Sequence, residues 1–426
     1  MNSTISTQIS DIQKPRLLYI DMAYTLKMVK ERELDQFVAA RECGGYFDHV
    51  WSVHPFADIP NKIKPDLDGF KLSIVEVSKH QTLIEGVSVY YPLLKRLFFV
   101  NFIISQIRFF VFLLLLVKRE RISIVHSEEP YFGGIIASLL KLFTGTSMVI
   151  GVVANYGELY EATGICAFPR IFRWRWIEKV IENIVFRYAN LVSGVNQNNL
   201  DYAVKNGARL NRTIVVTFGR LMHRQHQIES KFRDKDELFS SVQATHFFIY
   251  VGRLLELKHP EDVVRAFAVV NQEVADCALI MAGDGPIRED LKKLACELGL
   301  SDKIHFLGNI NQSRLAKLLA GCFAYLSPLT GGALVEAALA GLPVIAYDRD
   351  WQGEFVGNND AGIIVPFRDW QKMGEAAIDL LLHPEQVTKM GAESRRKGLE
   401  LTDLEEIYLR QINAFEKFCP PKFRSS

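Results

Sequence analysis

The sequence predicts an α/β protein built as two doubly wound domains facing each other across a cleft. Three observations carry that expectation. From Arg16 to about Phe218, short apolar runs alternate with helical periodicity, the pattern of parallel strands joined by helical crossovers. The alternation then starts afresh at His246-Phe247-Phe248-Ile249-Tyr250-Val251. Finally, 426 residues are too many for one ordinary core, so two domains are the default.

Taken in order, Leu17-Leu18-Tyr19-Ile20 is the first strand, and Arg32 to Arg41 reads as a helix stopped by Gly44-Gly45,. His49 to His54 is the next strand. Ile122 to His126 and Ser147 to Val153 follow, separated by a helix opening near Gly133; Leu191 to Val195 and Thr213 to Val216 complete the series. The first domain is thus placed at 1–220. Residues 221–245, rich in Arg, Lys, Gln, His and Ser, read as an exposed linker,. The second domain, 246–400, has strands at Phe247 to Val251, Ala278 to Met281, Lys303 to Leu307, Ala324 to Leu326, Val344 to Tyr347 and Ile363 to Val365. Pro260, Pro286 and Asp369 mark helix starts,. Within 401–426 a last helix, Asp403 to Phe418, is expected to pack back on the first domain.

Composition excludes several classes. Hydrophobic residues make up 49% and charged residues 23%, which is globular,. With 50 basic and 49 acidic residues there is no overall field for nucleic acid,. The six cysteines form no C-x-x-C pair, so buried apolar cysteines in a reducing compartment are expected rather than disulfides or zinc,. Met1 to Lys14 has no apolar h-region, which points to the cytoplasm or the cytoplasmic face of a membrane.

The stretch from Phe247 to Asp348 carries the chemistry. Gly252 lets a strand end approach a ligand closely, and Arg253 and Lys258 supply two fixed cations just before the helix marked by Pro260,. Alone, these are ordinary solvated cations; the second motif tips the reading towards a diphosphate. There, Gly331-Gly332 precede a helix opening with Ala333-Leu334, whose first amides suit phosphate oxygens,. Glu336, flanked by Val335, Ala337 and Ala338, reads as a buried and partnered acid able to accept both hydroxyls of a ribose,. Gly283 in Gly283-Asp284-Gly285-Pro286 and Gly308-Asn309 each follow a strand, the latter where a nucleobase can lie against main chain.

Those motifs, with Ala340-Gly341-Leu342-Pro343-Val344-Ile345-Ala346, resemble the group 1 retaining glycosyltransferases over about Phe247 to Pro366. The resemblance implies the GT-B architecture of two Rossmann-like domains. It also implies that Arg253 and Lys258 hold the diphosphate of a UDP- or GDP-sugar and stabilise the leaving group, that Glu336 binds the nucleotide ribose, and that no metal or other cofactor is required. One position departs from the family. The first Glu of its E-x7-E pattern, which contacts the donor sugar, is Pro328 here. Either sugar recognition differs, or Asp348, Asp350 or Glu354 takes over.

Acceptor contacts are expected from strand ends of the first domain, at His126, Glu128, Asn155 and Tyr156, although Asn155 stands where the family often carries a His. His126 with Glu128-Glu129 is weighed as a metal site and set aside in favour of residues lining a cleft. Leu97 to Val117 is long enough to span a bilayer,. Arg108 near its middle favours a buried or interface-dipping helix instead. Phe168 to Trp176 mixes Arg170, Arg173 and Arg175 with Phe172, Trp174 and Trp176, which suits an anionic membrane surface as well as it suits core aromatics with solvated arginines. The expected function is retaining transfer from a nucleotide sugar to a glycan or lipid-linked acceptor, with peripheral membrane contact. The alternatives are a silent nucleotide-sugar-binding relative and a GT-B nucleotide-sugar epimerase.

Overall fold

The computed structural model describes residues 14–31, 38–57, 72–86, 97–168, 171–217, 236–329 and 331–420. The chain divides into two compact units, Met1–Leu221 with Leu404–Ser426, and Met222–Asp403.

In the first unit, β1 (Arg16–Ile20), β2 (His49–His54), β3 (Ser73–Ser78), β4 (Gln81–Glu85), β5 (Ile124–Ser127), β6 (Ser147–Val152), β7 (Leu191–Gly194) and β8 (Thr213–Val215) form one sheet in the order β3-β4-β2-β1-β5-β6-β7-β8. All pairings are parallel except the β3–β4 hairpin. Its helices are α1 (Leu26–Glu31), α2 (Phe98–Arg119), α3 (Phe132–Thr144), α4 (Tyr156–Thr163), α5 (Arg175–Tyr188) and α6 (Gln197–Lys205). Side chains alternate across a strand, and here both faces are buried. Leu18, Ile20, Val125 and Ile150 pack on Phe109 and Leu113 of α2, Leu140 of α3 and Phe186 of α5. Their neighbours Leu17, Tyr19, Ile124, Val149 and Leu191 face the opposite side.

The second unit holds β9 (His246–Val251), β10 (Cys277–Ala282), β11 (Ile304–Gly308), β12 (Ala324–Ser327), β13 (Val344–Tyr347) and β14 (Gly362–Val365). They run parallel in the order β11-β10-β9-β12-β13-β14. Its helices are α7 (Leu238–Ser241), α8 (Pro260–Glu273), α9 (Arg288–Glu297), α10 (Gln312–Gly321), α11 (Ala333–Leu339), α12 (Gln352–Val356), α13 (Trp370–Leu382) and α14 (Pro384–Thr402). The start signals act as chemistry requires: Pro260 opens α8 where no N–H is needed, and Asp369 caps α13 by accepting the Lys372 N–H,. Strand order reverses between β9 and β12. In such sheets, ligands bind in the crevice this reversal opens at the carboxyl ends of the strands.

The last helix, α15 (Leu404–Phe418), belongs to the first unit. Phe415 is fully buried against Tyr46 and Phe47, and the Cys43 thiol donates to Gln411 Oε1 at 3.4 Å.

Three details differ from the sequence-based expectation. The β3–β4 hairpin is absent from it, because its turn residues Lys79-His80 lack the Asn-Gly or Asp-Gly chemistry that advertises a hairpin,. Of the helix expected at Arg32 to Arg41, residues 32–37 lie outside the described residues, and Ala40–Glu42 form a 3₁₀ turn. Cys296 is exposed, whereas Cys43, Cys166, Cys277 and Cys419 are buried. Residues 1–13, and residues 221–235 of the expected linker, also lie outside the described residues.

Candidate functional site

At the reversal point of the second sheet, three loops are stitched together by main chain. The Gly252 N–H donates to Ala282 O at 3.0 Å, Leu254 N–H to Asp284 O at 3.0 Å, and Gly283 N–H to Gly308 O at 2.9 Å. Gly283 has φ +140°, and a Cβ there would lie 1.9 Å from Gly252 O. A Cβ at Gly285 would lie 2.2 Å from Leu254 O. These two glycines exist because backbone passes over backbone. Their effect is to hold Gly252-Arg253 at the mouth of the crevice.

Arg253 is exposed, and Lys258 is half-buried at the end of a single 3₁₀ turn, Glu256–Lys258. Burial lowers the Lys258 ammonium pKa, the Asp350 carboxylate opposes that, and Arg253 adds to the lowering. The turn is anchored from behind. His259 adopts the left-handed conformation (φ +50°), and Arg368 bonds His259, Glu261 (2.8 Å) and Asp262 (3.3 Å). Asp262 is buried and accepts the Tyr347 hydroxyl at 2.8 Å. Burial raises the Asp262 carboxyl, and the Tyr347 hydrogen bond and Arg368 charge counter it. This cluster joins the start of α8 to the end of β13 and fixes where Lys258 stands. Only the acidic first turn Pro260-Glu261-Asp262 announces it in the sequence; Arg368 and Tyr347 carry no local signal.

Across the crevice, Gly331 and Gly332 lead into α11. The Leu334 N–H already donates to Gly331 O at 3.1 Å, and those of Val335 and Glu336 to Gly332 O. The Gly332 and Ala333 amides have no main-chain acceptor among the described residues. A Cβ at Gly331 would meet no atom within 4 Å, so packing does not demand this glycine. Glu336 is raised to about 7 by burial, against a hydrogen bond from the Gln312 side chain. Gln312 is the first residue of α10, three residues after the exposed Asn309. Gly308, at φ +66°, turns the chain towards it. The Gln312–Glu336 contact links residues 24 apart, and nothing in either neighbourhood foretells it.

At the departed position, Pro328 O accepts from Gln352 Nε2 at 3.2 Å. The same buried amide bonds Tyr347 O at 3.3 Å and the Ser327 hydroxyl. Gln352 therefore ties the ends of β12 and β13 together. Of the three acids considered as replacements for the missing Glu, Asp348 lies against Gly353, and Asp350 is the one whose charge reaches Lys258.

In the first unit, His126 is buried on β5, its ring 4.7 Å from that of Tyr19. His126 Nε2 and Glu128 Oε2 would lie 3.3 and 2.8 Å from a Cβ on Gly151, so the two meet over this glycine. Glu129 turns inward and accepts the Tyr131 N–H at 2.6 Å and the Gly133 N–H, closing the N-terminus of α3,. Asn155 caps α4, accepting the Glu158 N–H at 3.2 Å and donating to Glu158 Oε1 at 3.0 Å. Tyr156 is buried with Tyr131 and Tyr202, and burial raises its hydroxyl pKa well above the ordinary value. His126 and Glu128 are thus brought together, while Asn155 and Tyr156 are engaged in holding their own helix.

The family model of glycosyl transferases group 1 matches residues 234–397. That segment is similar to the group 1 glycosyl transferases. It contains every residue of the crevice described above, from Gly252 to Gln352. The chain is 30% identical over 158 residues to the GDP-mannose-dependent alpha-(1-6)-phosphatidylinositol monomannoside mannosyltransferase of Mycobacterium tuberculosis, covering 34% of this chain and 41% of that protein. It is 30% identical over 182 residues to N-acetyl-alpha-D-glucosaminyl L-malate synthase of Bacillus anthracis, covering 41% and 47%. A longer match, 24% identical over 258 residues, is to alpha-monoglucosyldiacylglycerol synthase of Streptococcus pneumoniae, covering 58% and 56%. The chain spans between 41% and 56% of the length of these three relatives.

Solved structures extend the likeness in fold to the first unit. Sucrose-phosphate synthase from Thermosynechococcus elongatus superposes with a TM-score of 0.66 at 18% identity, covering 95% of this chain and 98% of that one. Anabaena Alr3699/HepE in complex with UDP-glucose gives 0.66 at 15%, covering 94% and 99%. The fold is GT-B, two Rossmann-like α/β units.

Proposed function

We propose that the chain is a retaining glycosyltransferase that moves a sugar from a UDP- or GDP-sugar to a glycan or lipid-linked acceptor. The observation that carries this reading is that β9 and β12 are parallel neighbours at the reversal point, so the segments that follow them, one with Arg253 and Lys258 and the other with Gly332, Ala333 and Glu336, open at the same edge of the sheet. The cations and the two helix amides take the diphosphate, and Glu336 takes the ribose hydroxyls. We assign the base to the main chain beside Asn309. The relatives named above support a glycolipid or small-molecule acceptor in their own printed activities.

In the reaction, the bond between the anomeric carbon and the phosphate oxygen breaks, and a bond from that carbon to the acceptor oxygen forms on the same face. The acceptor proton passes to the leaving phosphate oxygen. Arg253 and Lys258 oppose the charge that builds on the diphosphate, a contribution that grows towards the transition state. Asp350, the one of Asp348, Asp350 and Glu354 whose charge acts on Lys258, is the acid we assign to the sugar hydroxyls in place of the missing Glu at Pro328. The two fixed cations make a metal unnecessary, so a chelator is expected to leave the rate unchanged. We place the reaction on the cytoplasmic side of a membrane.

A transfer assay with a panel of UDP- and GDP-sugars tests the proposal. Arg253→Ala and Lys258→Ala should each lower the rate by about 100- to 1000-fold while thermal unfolding is preserved. Unchanged rates in both variants would refute the assignment. Inverted anomeric configuration in the product would refute retention.

A further inference from the structure

Helix α2 is inverted for a helix in water. Its polar Asn101 and Ser105 face the protein interior, 4% and 0% exposed. Outside, at every fourth position, stand Phe99, Ile103, Ile107, Val111 and Leu115, between 46% and 76% exposed. Residues four apart form one row on a helix surface, so the five make a continuous apolar ridge about 24 Å long.

The ridge does not end at one helix. Phe110 of α2 packs on Phe143 of α3, ring centroids 6.0 Å apart, and α3 leaves Leu142 and Phe143 exposed. Lys141 of α3 reaches the Tyr188 carbonyl of α5, and α5 exposes Trp176, Val180 and Ile184. The inner faces of all three helices share one core against the same side of the sheet, so their outer faces form one surface. The segment Phe168 to Trp176 behaves accordingly. Trp174 and Trp176 are exposed, whereas Arg175 is buried between Glu178 (2.9 Å) and Glu182 (2.6 Å); Arg170 lies outside the described residues.

Charge selects the occupant. Neither α2 nor α3 contains an acidic residue, and both acids of α5, Glu178 and Glu182, are buried with Arg175. The exposed charges of the three helices, Arg108, Lys118, Arg119, Lys179 and Arg187, are all positive. A second copy of the chain would bring like charges together across an apolar contact. A spanning role is excluded because Phe109, Leu113 and Leu116 anchor α2 in the core. A bilayer surface with anionic headgroups meets both demands. Apolar side chains enter the acyl boundary, cations meet phosphates, and tryptophans sit at the interface.

We propose that the outer face of α2, α3 and α5 is a docking surface for an anionic lipid bilayer, seating the first unit in the interface without crossing it. The assignment is independent of the transfer reading, because the donor crevice lies in the other unit and vesicle binding is measured without donor or acceptor.

The test is co-sedimentation of the full chain with vesicles of phosphatidylcholine alone, or with about 30 mol% phosphatidylglycerol. Binding is expected with the anionic vesicles, and at least tenfold weaker with phosphatidylcholine or at high salt. Ile107→Glu with Val111→Glu should reduce sedimentation to background. Lys179→Gln with Arg187→Gln should weaken binding by about 25-fold, at roughly fivefold per cation. All four positions are exposed, so unfolding temperatures should match the wild type. Failure of the wild type to bind anionic vesicles would overturn the proposal, as would variants that bind like wild type. So would a dimer in sedimentation velocity that Ile107→Glu with Val111→Glu dissolves.

Discussion

Glu336 carries a pH consequence, in the same range as the buried Glu129 of the first unit, which burial also raises to about 7. Burial lifts Glu336 from an ordinary 4.5 to about 7. A folded value above the unfolded one means that the protonated form favours the fold. Its contribution to stability is therefore full below about 4.5 and lost as pH rises through about 7. Glu336→Gln should remove its share of that part of the melting-temperature profile and leave the share of Glu129; differential scanning calorimetry of the two proteins would read the difference. In the proposed donor site the sign is opposite, because ribose hydroxyls would donate to the ionised carboxylate. Affinity for a nucleoside diphosphate should rise with pH by up to about tenfold per unit below 7 in the wild type and stay flat in the variant. Asp350 is the complementary case. Asp350→Asn should weaken the nucleotide sugar while sparing the nucleoside diphosphate, and titration calorimetry with both ligands separates the two. Equal losses would place Asp350 on the diphosphate side.

At the scale of elements, the sequence makes some features plain and hides others. The strand–Gly–cation and Gly–Gly–helix motifs are local, so Gly252, Arg253, Lys258, Gly331 and Glu336 are recognisable at once. Their supports are not local. Asp262, Tyr347 and Arg368 come from α8, β13 and the loop before α13, and only the parallel stacking of β9, β12 and β13 brings those ends together. Asp262→Ala leaves Arg368 and the Tyr347 hydroxyl short of a buried partner and should cost about 1–3 kcal/mol in chemical denaturation. α15 makes the same point for stability. Phe415 closes the far face of the first sheet and is 1% exposed, so Phe415→Ala should cost about 3–5 kcal/mol. The β3–β4 hairpin is hidden for a different reason. Its strand β3 is largely exposed and its turn lacks a glycine, leaving neither an apolar alternation nor a turn signal.

For the whole molecule, the two units carry separate chemistry. The crevice proposed to take the donor lies entirely in the second unit, and the apolar helical face lies entirely in the first. Nucleoside diphosphate at about 100 times its Kd should stabilise the binding unit by about 2.7 kcal/mol. In hydrogen exchange, that protection should centre on the loops after β9 and β12, whereas anionic vesicles should protect α2 and α5. Protection of the same segments by both ligands would contradict this division.

By itself, the sequence determines the alternating α/β pattern and the two glycine-containing turns proposed to take a diphosphate, because each is written in neighbouring residues whose periodicity fixes a shared face or a turn. The apolar row of α2 is equally visible there. Whether it faces core or solvent depends on which side the sheet occupies, and only the tertiary structure decides that. The same holds for Gln312 on Glu336, the Asp350 charge acting on Lys258 and Arg368 on Asp262. Each pairs residues far apart in sequence, and strand order, set by crossover geometry and core packing, is what brings them together.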